Sequence, residues 1–232
     1  MTLSPVIDVI IPAYNEERSI GKVIREIPRD LVREVIVCDN NSTDATEFYA
    51  LEAGATVVNQ PDRGYGNACL SAIAHICKKP TGTHPDIVVF MDADYSDFPS
   101  EINSLIVPII QGNDLVIGSR TTGNSQAGSM TMTQIFGNWL ATNLIRLLYG
   151  FQFTDLGPFR AIRWNKLLEL NMKDKNFGWT VEMQIKAVKQ KFACVEVPVS
   201  YRKRIGQSKI SGTIKGSLMA GHKILWTIIK CL

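Results

Sequence analysis

Ile87 and the four apolar residues that open VVFMDADYSD (residues 88–97) run straight into three aspartates, Asp92, Asp94 and Asp97. A short apolar run bounded this way reads as a buried strand that ends in charge. Side chains alternate along a strand end, so Asp92 and Asp94, one residue apart, point to the same side. Two carboxylates this close repel unless a cation lies between them, and oxygen ligands suit Mg²⁺ or Mn²⁺, ions that commonly bring phosphate. The alternative is that the aspartates only cap the next helix, the role expected of Asp97, two residues before Pro99.

Outward from this stretch the first half of the chain alternates strand and helix. Val6–Ile11 is a β-branched run, and Ile20, Val23, Ile24 and Ile27 follow at the spacing of an amphipathic helix. Glu34–Cys38 is a second strand, closed by DNNSTDAT, where Ser42, Thr43 and Asp44 are candidate caps for a helix through about Ala53. ATVVNQ is a third strand, RGYGNA opens a helix, Asp86–Met91 is the fourth strand, FPSE begins a helix, and Leu115–Gly118 is the fifth strand. The alternation predicts an α/β fold: a Rossmann-like, mostly parallel sheet with helices on both faces. Ligands bind such sheets at the carboxyl ends of the strands. The polar clusters PAYNEE, DNNSTD, DRGYG, DADYSD and GSR all fall there. No G-x-G-x-x-G follows the first strand, which disfavours a dinucleotide-binding oxidoreductase.

The second half breaks the rhythm. MTQIFGNWLATNLIRLLYG reads as a long helix, TDLGPFRAI as a turn-rich segment, GWTVEMQIKAVKQ as a helix and CVEVPVSYRKR as extended chain, with a final amphipathic helix from about residue 210. Buried core is the expectation for the face carrying Phe136 and Trp139, with a membrane-facing surface as the alternative.

The 232 residues are 45% hydrophobic and 20% charged, a composition able to bury a sizeable core. A net charge of +3 is too small to imply nucleic acid as partner. Beyond Glu196 there is no acidic residue, while Arg202, Lys203, Arg204, Lys209, Lys215, Lys223 and Lys230 are basic. Five scattered cysteines without ligand spacing suit reduced thiols and a cytoplasmic setting. Neither a signal peptide nor a spanning helix is expected.

The order IIPAYNEE, VCDNNSTDAT, GYGNA, DADYSDFP, GSR resembles the family-2 glycosyltransferases of GT-A fold. Within them it is similar to the polyprenyl-phosphate (dolichol-phosphate) mannosyl- and glucosyltransferases, from about Val6 to Lys209. The resemblance implies a glycosyltransferase domain over 1–209, with a nucleotide-sugar half (1–120) and an acceptor half (121–209), then an amphipathic helix over 210–232. It implies that Pro12, Ala13, Tyr14 and Glu16 wrap the nucleotide base and ribose, that Asp39 bonds the base, and that Gly64, Tyr65 and Gly66 approach the nucleotide. Asp92 and Asp94, with Ala93 between them, match the metal-binding pair facing the donor diphosphate, with Asp94 at the reaction centre. The sequence departs from the family at Asn40, usually acidic, at Asn41, usually glycine, and at Ser96, often glutamine.

The acceptor follows from the same resemblance and from charge. A hydroxyl acceptor needs a general base, and Asp155 and Glu182 are the candidates; their alternatives are a turn residue and a solvated helix position. A phosphate acceptor is already charged and needs cations instead. Arg120, Arg160, Arg202, Arg204, Ser208 and Lys209 fit phosphate clamping, the last four in YRKRIGQSK, which resembles the acceptor loop of the polyprenyl-phosphate enzymes. The expected reaction is inverting hexose transfer from a nucleotide diphosphate sugar to a polyprenyl phosphate. The alternatives are the same donor chemistry onto a hydroxyl and an inactive nucleotide-sugar-binding scaffold. The C-terminal helix either lies on an anionic membrane or packs on the domain.

Overall fold

A computed structural model describes residues 4–206 and 214–232. Seven strands form one sheet in the order β3-β2-β1-β4-β6-β5-β7: β1 (Ile7–Ala13), β2 (Glu34–Asp39), β3 (Thr56–Asn59), β4 (Ile87–Phe90), β5 (Leu115–Ser119), β6 (Arg160–Arg163) and β7 (Cys194–Pro198). All neighbours pair in parallel except β6, which is antiparallel to both β4 and β5. The mostly parallel α/β sheet is therefore present. The helices are α1 (Ile20–Glu26), α2 (Thr46–Glu52), α3 (Tyr65–Cys77), α4 (Ile102–Ile110), α5 (Met132–Tyr149), α6 (Trp164–Leu170), α7 (Trp179–Lys189) and α8 (Ile214–Lys230), with a 3₁₀ turn, Pro99–Glu101, before α4.

Both faces of the central strands are covered, which is why those strands are apolar throughout rather than alternating. Ile10, Ile36, Val88 and Phe90 pack with residues of α3, α5 and α7 on one side. Val9, Ile11, Val35, Val37, Val89 and Met91 pack with α1 and α4 on the other. From β1 the order runs outward to β2 and β3 on one side and to β4 on the other. The crevice at this reversal lies at the carboxyl ends of β1, β2 and β4, where the sequence placed its polar clusters.

The second half holds two elements that the sequence reading did not include, one at the end of TDLGPFRAI and one just after it. β6 is only four residues, RAIR, and arginine at both ends hides its strand character; α6 follows it at once. Helix α5 is present, started by a capping box between Thr131 and Gln134 and stopped by Gly150 at φ +72°. The expectation of buried core for its apolar face is overturned: only Ala141, Thr142 and Ile145 are buried, while Phe136 is 62% and Trp139 57% exposed. The helix packs through Ala141, Thr142 and Ile145, with Leu144 and Tyr149 half-buried against the core, and leaves Phe136, Trp139 and Leu147 in solvent. Helix α8 rests on α5 and α7, burying Thr227 and Ile228 but exposing Met219, Trp226 and Ile229. No described helix is long and apolar enough to cross a membrane.

The capping expectation for α2 is also corrected. Its N-cap is Ala45, with no side-chain cap bond. Asp44 does meet the helix start, its Oδ1 accepting the Thr46 N–H at 3.0 Å, but from one position before the cap, and Ser42, Thr43 and Asp44 together hold the chain leaving β1. The Asn15 N–H donates to Ser42 Oγ at 2.9 Å, the Thr43 N–H to Asn15 Oδ1 at 2.8 Å, and the Glu17 N–H to Asp44 Oδ2 at 3.2 Å. These bonds fix the segment that carries Tyr14 and Glu16.

Candidate active site

A cavity of about 340 Å³ opens at the carboxyl ends of β1, β2 and β4. Pro12, Ala13, Tyr14, Glu16, Gly64, Tyr65, Asp92, Ala93, Asp94 and Arg204 all line it, together with Asn40, Arg63, Asn176 and Phe177, which the sequence reading missed as wall residues. Larger clefts lie beside α5 (about 430 Å³) and α8 (about 520 Å³), but neither is lined by a carboxylate. The titratable chemistry converges on the 340 Å³ cavity.

On the β1 side, the Tyr14 ring lies 4.2 Å from the Arg63 guanidinium, a flat cationic platform. Asp39 ends β2 in register with Ala13. It is 6% exposed, and its Oδ1 is buried without a partner among the described residues, an acceptor that is costly to leave unpaired. Asn40 is committed elsewhere: its amide donates to the carbonyls of Asp62 (2.7 Å) and Gln60 (3.2 Å), and its Oδ1 accepts the Gly64 N–H at 2.7 Å. It stitches two loops together, a task for which a carboxylate lacks the donors.

The glycines serve packing. A Cβ on Gly66 would stand 2.0 Å from the Asp174 carbonyl oxygen, and one on Gly64, at φ +142°, 2.2 Å from that of Lys175. The start of α3 thus presses on the 174–176 loop, and that contact carries Asn176 and Phe177 to the cavity wall. Gly66 itself does not line the cavity.

At the end of β4, Asp94 is 4% exposed; its Oδ1 accepts from the Ser96 N–H at 2.9 Å and from the Ser96 hydroxyl. Burial, with Asp94 and Asp97 close by, pushes the Asp92 carboxyl well above the usual carboxylate range, as mutual repulsion requires. Asp97 does not cap the following helix. The cap position is Phe98, without a side-chain cap bond, and Asp97 Oδ2 accepts the Asp92 N–H at 3.1 Å, closing the turn that presents the pair. Among the described residues no three His, Cys, Asp or Glu side chains converge to hold an ion. Asp92 and Asp94 are the two carboxylates of the β4 turn that line the cavity.

The candidate bases and clamps fall largely elsewhere. Asp155 is fully buried, and both its oxygens accept from Arg120, Nε to Oδ2 at 2.8 Å and Nη2 to Oδ1 at 2.7 Å. Glu182 is 4% exposed; it accepts the Lys173 and Asp174 N–H groups at 3.0 and 2.7 Å and pairs with Lys186 at 2.7 Å. Neither lines the cavity. Arg160 is fully buried and donates to the carbonyls of Thr180 at 3.0 Å and Leu156 at 3.2 Å, and to that of Gly157; burial draws its pKa down to about 10. It holds the chain inside the domain and cannot reach a ligand phosphate, which corrects its assignment as a clamp. Arg202 is packed against Tyr95, whereas Arg204 enters the cavity and bonds Asp94 Oδ2 at 2.9 Å. Ser208 and Lys209 lie outside the described residues. Tyr201, which no pattern had singled out, lies under Arg120 at 5.0 Å, its hydroxyl pushed up to about 12 by burial.

The chain matches the model of glycosyl transferase family 2 over residues 8–170. It belongs to that family. An uncharacterized glycosyltransferase of Mycobacterium tuberculosis is 32% identical over 92% of this chain and 94% of its own length. A dolichyl-phosphate hexose transferase of Haloferax volcanii is 31% identical over 87% of this chain and 85% of its own. Among solved structures, glucosyl-3-phosphoglycerate synthase from Mycobacterium tuberculosis, in complex with Mn²⁺, UDP-glucose and phosphoglyceric acid, superposes with a TM-score of 0.76 at 26% identity, covering 98% of this chain and 79% of that one. The protein is therefore a glycosyltransferase with the GT-A fold.

Proposed function

We propose that this enzyme transfers a hexose, with inversion, from a nucleotide diphosphate sugar to a polyprenyl phosphate. The observation that carries the donor half is the Asp92–Asp94 pair at the end of β4, lining one cavity with Tyr14, Arg63 and Arg204. Asp92 and Asp94 would hold Mg²⁺ or Mn²⁺, and such an ion stabilises the charge that builds on a departing nucleotide diphosphate. Tyr14, on the cavity wall, suits a nucleobase as a face to stack on; Asp39, at the end of β2, does not line the cavity, and its buried Oδ1 is not offered to a ligand there. The Mycobacterium tuberculosis neighbour, crystallised with UDP-glucose and Mn²⁺, makes UDP-glucose the first donor to test, with GDP-mannose beside it.

The acceptor half rests on where the carboxylates are. A hydroxyl acceptor needs a base that opens to the cavity, and Asp155 and Glu182 are both spent on protein donors. A phosphate acceptor needs only positive charge to place it, which Arg204 supplies at the cavity; Arg120, taken up by Asp155, does not line the cavity and is not the clamp expected of it. The dolichyl-phosphate hexose transferase relative points the same way. An inactive binding scaffold is disfavoured by the intact carboxylate pair.

A polyprenyl phosphate resides in a membrane, and the exposed faces of α5 and α8 suit a place on its cytoplasmic surface. Phe136, Trp139 and Leu147 on α5 and Trp226 and Ile229 on α8 are all more than half exposed, with exposed Arg146 and Lys230 among them. Aromatic and aliphatic residues with cations on one side are what an anionic lipid surface binds.

Transfer of radiolabelled hexose from UDP-glucose or GDP-mannose to undecaprenyl phosphate in detergent micelles, with Mn²⁺, tests the reading. Label should enter the lipid fraction and disappear with EDTA and with Asp94→Ala. Transfer to a hydroxyl lipid but not to the phosphate would replace the acceptor half. No label in any product would refute the whole.

A further inference from the structure

The segment after β7 runs back across the carboxylate turn and is sewn to it. The Arg202 N–H donates to the Ser96 carbonyl at 2.9 Å and the Ile205 N–H to the Asp94 carbonyl at 2.9 Å, while Asp97 and Tyr201 form an isolated antiparallel bridge. From the other side Gln126 Oε1 accepts the Lys203 N–H at 3.0 Å.

The Arg202 side chain carries the strongest part of this attachment. Its Nε donates to the Tyr95 carbonyl at 2.6 Å, and its Nη2 donates to Glu26 Oε2 at 2.7 Å and to the Asp97 carbonyl at 3.2 Å. The guanidinium lies 3.3 Å from the centroid of the Tyr95 ring and 4.4 Å from that of Phe98. The Tyr95 hydroxyl donates a hydrogen bond to Glu26 Oε1, and Tyr95 sits at φ +70°, a conformation that a bulky residue keeps only when its surroundings enforce it. A planar fork stacked on rings and bonded to three oxygens has no lysine equivalent.

Two residues further on, Arg204 Nη2 lies 2.9 Å from Asp94 Oδ2 and 3.5 Å from Glu16 Oε1. Asp94 Oδ1 is already bonded to Ser96, so Oδ2 is the oxygen that remains for a cation. A guanidinium and a divalent ion at this carboxylate compete for it.

We propose that Arg202 is a positioning residue of the carboxylate site: pinned by Glu26, Tyr95 and Asp97, it holds Arg204 on Asp94 and so sets how tightly the site takes a divalent ion before donor arrives. The clamp keeps a cation of fixed reach beside the pair, lowering affinity for free metal and favouring metal that comes with a diphosphate, whose charge draws the guanidinium off Asp94. The proposal rests on the reading of Asp92 and Asp94 as metal ligands, and Asp94→Asn separates the two. If Mn²⁺ binds that variant as it binds the wild type, the metal reading fails with it.

The experiment is a titration of the nucleotide-free full chain with Mn²⁺, free ion being read by electron paramagnetic resonance, for the wild type, Arg202→Gln, Arg204→Gln and the double variant. Arg204→Gln should tighten Mn²⁺ binding on the order of tenfold, the weight of one charge-assisted bond. Arg202→Gln should shift it in the same direction, and the double variant should match Arg204→Gln alone, because one acts through the other. Arg202→Lys should behave as Arg202→Gln. A purely structural Arg202 would lower the melting temperature and leave the Mn²⁺ affinity of the folded protein unchanged, and that result, or additive effects in the double variant, overturns the proposal. Should Arg202→Gln not fold, Glu26→Gln, which removes one anchor of the clamp, carries the same test with a smaller shift expected.

Discussion

Arg120 and Asp155 form a two-pronged ion pair, and the Arg120 N–H adds a third bond to Asp155 Oδ2 at 2.8 Å. The aspartate is fully buried and the arginine side chain 14% exposed. Removing one partner of such a pair leaves a buried charge uncompensated, at a cost of about 3–5 kcal/mol. Asp155→Ala should therefore lower the unfolding free energy by an amount of that size, read as a lower urea midpoint at unchanged slope, and Asp155→Asn by less. A catalytic base would behave otherwise: Asp155→Asn would fold normally, lose transfer, and lose the acid limb of the pH–rate profile. Measuring both the midpoint and the profile decides between anchor and base.

Asn40 stands where the resemblance implies an acid, and it makes three bonds, two of which a carboxylate could not donate. In Asn40→Asp the two carbonyls of Gln60 and Asp62 lose their donor, and the new carboxylate faces them. The expected cost is about 1–3 kcal/mol for the unsatisfied buried groups, seen as a lower melting temperature and weaker UDP-glucose binding, because the loop bearing Arg63 and Gly64 loosens. A variant as stable as the wild type that binds donor more tightly would make this position a reader of the base.

The sheet was legible because its central strands are buried on both faces and spell themselves as apolar runs; β6 was not, because arginines flank its two apolar residues. The carboxylate pair was legible from its place at the end of such a run. What the cations do was not. Arg160, Arg202 and Arg204 look alike in sequence, yet one binds carbonyls in the core, one stacks on Tyr95 and one reaches the cavity. Partners brought in from distant parts of the chain decide this: Thr180 for Arg160, Glu26 for Arg202 and Asp94 for Arg204. Asp97 was misread for the same reason, its partner being the backbone of Asp92 rather than the helix that follows it.

Gly66 tests how the cavity wall is held. A methyl group there collides with the backbone of Asp174, which no side-chain rotation relieves, so overpacking of about 1–3 kcal/mol is expected for Gly66→Ala. Displacement of the 174–176 loop should move Asn176 and Phe177 and weaken donor binding. Isothermal titration with UDP-glucose and Mn²⁺ checks it, and wild-type affinity in Gly66→Ala would show that the wall does not depend on this contact.

Glu26 gives the clamp a pH dependence. Burial alone would raise its pKa, but the bonds from Arg202 and Tyr95 outweigh burial and hold it below 4.5. A carboxylate with a lowered folded pKa stabilises the fold above its unfolded value and loses that contribution as pH falls through the folded one. The melting temperature of the wild type should thus exceed that of Glu26→Gln by its full margin at neutral pH, the gap closing below about pH 4.5. A gap that stays constant down to pH 3 would mean that the Glu26 charge contributes nothing to the clamp.

The exposed faces of α5 and α8 make the last prediction. Phe136 and Trp139 stack near each other, with centroids 5.9 Å apart, and both stand mostly in solvent, so changing them should cost the fold little. If these faces meet lipid, each side chain transfers about 1.5–3 kcal/mol of apolar burial to the bilayer, and the cations add affinity for anionic headgroups that salt screens. The wild type should float with phosphatidylglycerol vesicles at low salt and less with phosphatidylcholine. Phe136→Ser with Trp139→Ser should lose at least tenfold in partitioning while keeping the wild-type melting temperature and Mn²⁺ affinity. Equal flotation of the double variant would move the membrane contact off α5, and flotation of neither protein would leave the acceptor to be delivered by something other than this surface.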